Sequence, residues 1–190
     1  MLLPLVYIAL FLQAPGDIWR EVGEHPTRLK DDGGPITDSV KSAIRAVLKK
    51  QNHLVECISD DPNSEWVNGL TFQRIAVSQD RNTFLVEAGP GCARGGQGSN
   101  GAMWIVQIRN GHTAVLASPE AGFDGWLYSV QARSSKGYKD VVLGWHNSAA
   151  EAGLSYFRFD GTQYKSAGGA TIRWDDSQHG IITPAGKRTN

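Results

Sequence analysis

Two short hairpin signals, 50 residues apart, constrain the fold of this chain more than any other feature. Asn110-Gly111 and Asp160-Gly161 each stand inside a short stretch of β-type sequence, QIRNGHTAV and RFDGTQY. Asn-Gly and Asp-Gly pairs favour tight hairpin turns, because both turn positions take positive φ. From Leu70 onward the pattern therefore predicts antiparallel strands joined by turns.

The segments upstream of the two hairpins also correspond to each other. TFLVEAG at 83–89 corresponds to KDVVLGW at 139–145. The segments upstream of these two, FQRIAVSQ and LYSVQARS, also correspond to each other. A weak internal repeat of this kind indicates that each copy is one supersecondary unit. We expect two four-stranded antiparallel meanders, over residues 70–117 and 126–167, with long loops GPGCARGGQGSNG and HNSAAEAG.

One amphipathic helix is predicted before the strands, over residues 37–51. Thr37 or Asp38 can act as its N-cap. Its apolar stripe must pack on another element, so the predicted fold class is all-β to α+β, with this one helix packed on the two repeated meanders. The residues at helical spacing are Val40, Ala43, Ile44, Val47 and Leu48.

The N-terminus carries an apolar run from Leu2 to Leu12, which Gln13 and Ala14 follow. This run is too short to span a bilayer as a helix, but it suits the apolar region of a secretory signal. Residues 1–14 are therefore predicted to be a signal peptide. We expect a periplasmic or secreted protein without stable membrane insertion after signal removal. A mis-assigned start codon and a buried N-terminal strand are the alternatives.

The remaining boundaries follow from composition. Residues 15–35 are rich in charge, Gly and Pro and lack a sustained period, which predicts a mobile lead-in. Residues 36–175 are expected to form a single β-rich domain, and 176–190 a peripheral tail. Nineteen basic residues balance nineteen acidic ones. Because no net positive charge attracts phosphates over long range, no nucleic-acid partner is expected.

Cys57 and Cys92 are the two cysteines of the chain. In an exported protein an even count favours one disulfide, which here would close a loop of about 35 residues and stabilise the fold by about 3–4 kcal/mol. In a reducing compartment they would be two buried thiols. Two cysteines without a CxxC spacing do not indicate a metal site.

The second predicted meander contains GYKDVVLG, from Gly137 to Gly144. This segment resembles the core of the integrin-type FG-GAP or VCBS-like propeller blade. In that repeat a calcium loop rich in Asp and Gly leads into an Asp, three aliphatic residues and a Gly, and Asp140 stands at the position of that Asp. The resemblance implies an interaction scaffold.

The calcium loop of that family is not matched. Ser134 and Lys136 stand where carboxylates would be needed, and Phe84 occupies the position of the Asp in the first copy. A hard cation requires several oxygen ligands, so no calcium is expected. GQGSNG at 96–101 matches GxGxxG, but the strand-like AMWIVQI follows it, so no helix N-terminus would receive a dinucleotide. No cofactor is therefore predicted.

The predicted loop over residues 146–153 carries His146 and Glu151. Together with Asp140 they could form the site of a secreted hydrolase, which is the alternative function. His112, a further potential metal ligand, is expected at the other end of its hairpin. GxSxG and HExxH signatures are missing from the sequence. We therefore assign no catalytic or metal-binding residue.

The favoured function is an exported non-enzymatic binding module, of a recognition or inhibitor type, that uses its long inter-strand loops. Loops positioned by a rigid sheet often carry binding residues. Tryptophan is common at binding surfaces. The residues predicted to contact a protein partner or an envelope or small-molecule ligand are Trp145, His146, Asn147 and Glu151.

Overall fold

The computed structural model describes residues 15–24, 34–50, 66–80, 82–88, 101–175 and 180–185. The predicted signal peptide at 1–14 and both cysteines, Cys57 and Cys92, lie outside these ranges. Export and the disulfide therefore stay predictions.

The described chain is mainly antiparallel β-sheet with two α-helices, in agreement with a β-rich or α+β class. Single 3-10 turns occur at Trp66–Gly69 and Pro119–Ala121. The helices and strands, in chain order, are α1 Pro15–Glu24, α2 Asp38–Leu48, β1 Thr71–Arg74, β2 Thr83–Glu87, β3 Gly101–Arg109, β4 His112–Ala117, β5 Asp124–Ser135, β6 Tyr138–Ser148, β7 Glu151–Phe159, β8 Tyr164–Trp174 and β9 Gly180–Pro184.

The strands are hydrogen-bonded in the order β1-β2-β3-β5-β6-β7-β8-β9, and β4 also pairs with β3. One edge of β3 pairs with β2, whereas the other edge pairs with β4 over Ile105–Arg109 and with β5 only at Gly101 and Ala102. This short junction separates two groups of strands. We call β1–β4 sheet I and β5–β9 sheet II.

The inner faces of the two sheets share one hydrophobic core. Leu85 and Ile105 of sheet I belong to the same buried cluster as Val141, Leu143 and Phe157 of sheet II. Side chains alternate along a strand. From Asp140 to His146 the odd-numbered residues of β6 therefore face sheet I, and the even-numbered residues face outward.

One helix covers the outer face of each sheet. Ile44 and Leu48 of α2 pack with Trp104 on sheet I, and the Thr37 side chain caps α2 by accepting a hydrogen bond from the Val40 N–H at 3.5 Å. On sheet II, Trp19 of α1 packs in a cluster with Leu154 and other outer-face residues. Among the described residues no helix is long and apolar enough to cross a membrane.

The prediction of a mobile lead-in at 15–35 is wrong for its first part, because α1 occupies Pro15–Glu24. Trp19 is 6% exposed and Val22 is fully buried. Burial of these two side chains on sheet II stabilises the helix. The Gly, Pro and charge content of the segment did not predict it. The predicted peripheral tail likewise contributes β9, which pairs with β8 over Ala170–Trp174.

Both hairpin signals lie between antiparallel strands, but only the first forms the predicted tight turn, because Gly161 has positive φ and Asp160 does not. Asn110 and Gly111 have φ of 51° and 77° and form the expected two-residue turn. The hairpin at Asp160-Gly161 instead closes with a four-residue loop, because Phe159 pairs with Tyr164. Lys136 and Gly137, with φ of 52° and 85°, form a further tight turn between β5 and β6.

Candidate functional site

The residues predicted to form a loop at 146–153 lie almost entirely in strands, so that prediction is wrong. β6 continues to Ser148, β7 begins at Glu151, and only two residues connect them. Ser148 pairs with Glu151, and Trp145 with Gly153. Gly153, one of the small residues that suggested a loop, instead lies in β7 beneath the Trp145 ring.

Trp145 lies on the inner face of sheet II, beyond the part that sheet I covers. Its side chain is 36% exposed. The indole covers Gly153 on the neighbouring strand: a Cβ at that position would overlap Cε2, Cζ2 and Nε1 of the ring. A glycine opposite a large aromatic residue lets the ring rest on the backbone of the sheet. Trp145 is therefore held in place while part of it remains exposed.

Glu151 joins two polar neighbours next to Trp145. Its Oε2 accepts a hydrogen bond from Arg173 Nε at 2.5 Å, and its Oε1 accepts one from Asn147 Nδ2 at 3.3 Å. Glu151 and Arg173 stand directly opposite each other on β7 and β8. These two hydrogen bonds, Arg173 first, hold the pKa of Glu151 below its ordinary value. Glu151 therefore forms an ion pair with Arg173.

Ile181 of β9 extends this surface across the sheet. It pairs with Arg173 and is 64% exposed. By strand spacing its Cα lies about 15 Å from that of Trp145. We call Trp145, Asn147, Glu151, Arg173 and Ile181 the inner-face patch.

His146 does not belong to this patch, because it points to the outer face of sheet II. Its ring stacks on Trp126, with 5.5 Å between centroids and 29° between planes. Trp126 in turn covers Gly144, where a Cβ would lie 2.5 Å from Cζ2 of the indole. Of the four predicted binding residues, the structure brings together Trp145, Asn147 and Glu151.

The three residues of the alternative hydrolase site are not brought together. His146 and Glu151 lie on opposite faces of the sheet, and Asp140 lies six residues before His146 on β6, about 20 Å along the strand. Asp140 is fully buried. Its Oδ2 accepts a hydrogen bond from the Tyr156 hydroxyl at 2.8 Å. Burial and this bond raise the pKa of Tyr156 above its ordinary value.

His112 begins β4 in sheet I and pairs with Arg109, away from the inner-face patch. Within the described ranges no group of three or more His, Cys, Asp or Glu side chains could hold a metal ion. The strand expected after the glycine-rich segment is present as β3, which begins at Gly101.

Sequence reasoning missed Arg173 and Ile181. TIRW at 171–174 does alternate, since Ile172 packs in the outer cluster while Arg173 faces the opposite side. This alternation marks Arg173 as an exposed strand residue, but only the register of β7 and β8 places it opposite Glu151. No local signal identifies Ile181.

Comparison of the chain with family models, with curated proteins and with solved structures gives no significant match.

Proposed function

We propose that this protein is an exported, non-enzymatic binding module that recognises a protein partner through the inner-face patch. One observation carries the proposal. Among the described residues, the two exposed large hydrophobic side chains, Trp145 and Ile181, lie on the same face and at the same end of one sheet. Scattered single hydrophobic residues need no explanation, whereas a shared patch with a polar surround is typical of an interaction site.

The composition and shape of the patch favour a protein as the ligand. Tryptophan and arginine are the residues most enriched at the energetic centres of protein interfaces. Small molecules usually bind in concave pockets, and this surface is a sheet face. Arg173 is already oriented by Glu151, so less side-chain entropy is lost when a partner covers it.

Site-specific photocrosslinking tests this proposal. A photoreactive phenylalanine derivative replaces Ile181 or Asn147 in protein expressed in its native envelope, and Ala114, exposed on β4 of sheet I, is the control position. We expect one heterologous protein to crosslink from both patch positions and not from 114. An adduct with the mass of two copies of this chain would contradict the proposal.

Once that partner is purified, calorimetry measures the energetic contribution of the patch. Trp145→Ala and Ile181→Ser should each weaken binding at least 30-fold, which corresponds to about 2 kcal/mol for a central interface residue. Ala114→Ser is the matched surface control and should bind with unchanged affinity. Unchanged affinity in both patch variants would exclude the patch as the binding surface.

Export is part of the proposal, and the position of α1 is compatible with it. Cleavage after Ala14 would leave α1 whole, because that helix begins at Pro15. Mass spectrometry of the natively expressed protein should find a chain that begins within a few residues of Ala14. An intact Met1 in a soluble cytoplasmic fraction would contradict export.

We further propose that residues 70–117 and 126–167 are copies of one repeat, as the resemblance to the FG-GAP or VCBS-like blade implies. Support comes from the pairing of consecutive strands, from β1 through β4 and from β5 through β8. The outer helix on each sheet is further support. The two-residue turn in the first copy and the four-residue loop in the second differ. An experimental structure whose two units fail to superpose strand for strand would refute the repeat.

A further inference from the structure

An open pocket of about 450 Å³ lies at the opposite end of sheet II from the inner-face patch. The β5–β6 turn forms one wall and the β7–β8 hairpin forms the other. By strand spacing Lys136 is roughly 30 Å from Trp145. The polar residues that matter for the argument are Ser134, Ser135, Lys136, Arg158, Lys165 and Ser166.

Three cations and one carboxylate line this pocket. The carboxylate, Asp160, is engaged by its own hairpin loop: its Oδ1 accepts hydrogen bonds from the Thr162 N–H, the Thr162 hydroxyl and the Gln163 N–H at 2.8–2.9 Å. These bonds, that from Gln163 first, lower the pKa of Asp160 to about 2. Asp160 therefore stays ionised, but the three cations outnumber it and the Asp140 carboxylate beside Arg158, so the lining keeps a net positive charge. The whole chain, in contrast, has a formal net charge of zero.

Arg158 is fixed from beneath by buried groups. Its Nε donates a hydrogen bond to Ser135 Oγ at 3.0 Å and lies 3.6 Å from Oδ2 of Asp140. Both contacts use Nε, which leaves the four donors on the terminal nitrogens for a ligand. The arginine side chain is half exposed, so these donors can reach the pocket.

Lys165 stands directly opposite Arg158 in the β7–β8 register. Like charges directly opposite on neighbouring strands destabilise a sheet. Lys136, in the facing β5–β6 turn, is the third cation. Its backbone φ of 52° lies in the left-handed region, which lysine rarely adopts. An anion between these side chains would relieve their repulsion, and this arrangement is the observation that points to a ligand.

We propose that this pocket binds a phosphate-type oxyanion, carried either by a soluble molecule or by a lipid headgroup. A phosphate group carries about −1.5 to −2 charge and three acceptor oxygens. Arginine binds such oxygens in a bidentate manner, and lysine binds them as a point charge. The serine hydroxyls supply further donors. This site is separate from the inner-face patch and does not depend on the proposed function.

The test is a titration of the ¹⁵N-labelled full chain with inorganic phosphate at constant ionic strength, followed by NMR. We expect saturable shifts of backbone N–H signals at 134–137 and 158–166. Potassium chloride in place of phosphate is the reference. Shifts that do not saturate, or that lie mainly outside these two segments, would overturn the proposal.

Two charge-removing substitutions identify the responsible side chains. The double variant Lys136→Asn with Lys165→Gln should bind phosphate at least tenfold more weakly, and asparagine suits the positive φ of the turn. Arg109→Ala removes an exposed cation of sheet I and should leave the affinity unchanged. Equal affinity in the wild type and the double variant, or equal loss in the Arg109 control, would refute the site.

The two sources of the oxyanion are distinguished by a vesicle assay. Wild-type protein is sedimented with vesicles of phosphatidylcholine alone or of phosphatidylcholine with phosphatidylglycerol. If the wild type sediments only with the anionic vesicles and the double variant does not sediment, the oxyanion belongs to a lipid headgroup. Saturable phosphate binding without sedimentation assigns a soluble phosphate compound.

Discussion

The indole of Trp145 covers Gly153, its directly opposite neighbour on β7, so closely that no side chain fits at residue 153. The pair explains how a large apolar ring stays fixed at the exposed end of a sheet. Any Cβ at 153 must displace the ring from the backbone. The position of Trp145 in the inner-face patch therefore depends on a glycine that is not itself part of the patch.

Gly153→Ala should displace Trp145 and destabilise the fold by about 1–3 kcal/mol, the usual cost of overpacking. Urea denaturation measures this loss, and the Trp145 indole N–H signal, assigned by its disappearance in Trp145→Phe, should shift. Gly168→Ala is the matched control, because a Cβ there meets nothing closer than 3.9 Å. Equal stability of the two alanine variants would contradict the packing described.

Gly125→Ala should cost more, about 2–4 kcal/mol, because it combines strain at positive φ with a clash that cannot relax easily. Gly125 has φ of 103°, and its Cβ would overlap the carbonyl oxygen of Gly144, a backbone atom. Gly161 has a similar φ of 113° with nothing within 4 Å. Gly161→Ala thus isolates the strain, and it should be clearly less destabilising in the same urea experiment.

The sequence predicts this fold well wherever the information is local. Alternation and the Asn110-Gly111 turn identified strands and a hairpin, because side-chain direction and turn conformation depend on neighbouring residues. The helix at 37–51 was recognisable from its apolar spacing and was found as α2. The class of the protein could therefore be predicted without coordinates.

The errors concern contacts between strands or between a helix and a sheet, which the composition of a single segment does not reveal. α1 is stable because Trp19 packs against Tyr156, with ring centroids 5.9 Å apart, and nothing near residue 19 reveals that partner. The segment at 146–153 was interpreted as a loop because its residues are mostly small or polar, but β6 and β7 pair there, with Trp145 opposite Gly153 and Ser148 opposite Glu151. The register between β7 and β8 places Arg173 opposite Glu151 in the inner-face patch and Lys165 opposite Arg158 in the pocket at the other end of sheet II.

Lys136→Asn should stabilise the protein by about 0.5–1 kcal/mol. Lysine at φ of 52° occupies the left-handed region, which asparagine tolerates better. The substitution converts Lys136-Gly137 into the residue pair found at 110–111. Asn110→Lys, the reverse change in the matching turn with φ of 51°, should destabilise by a similar amount. Thermal and urea denaturation of both variants test the sign, and a change in the same direction would refute this explanation.

Acid sensitivity should depend measurably on Asp160. Its pKa is lowered from 3.8 to about 2 by hydrogen bonds from its own loop, so the folded state binds a proton less readily than the unfolded state. The sign follows by linkage: the stabilising contribution is fully present above about pH 4 and is lost as the pH falls toward 2. Glu151, whose pKa is also lowered, contributes in the same direction.

The measurement compares the free energy of unfolding in urea at pH 6 and pH 2.5 for three proteins. The wild type should lose the most stability between the two conditions, and Asp160→Asn should lose less because its side chain does not titrate. Thr162→Val should fall between them, because it removes the hydroxyl that donates to Asp160 Oδ1 at 2.8 Å and retains the two backbone donors. Identical losses in the wild type and Asp160→Asn would show that this loop does not couple proton binding to folding.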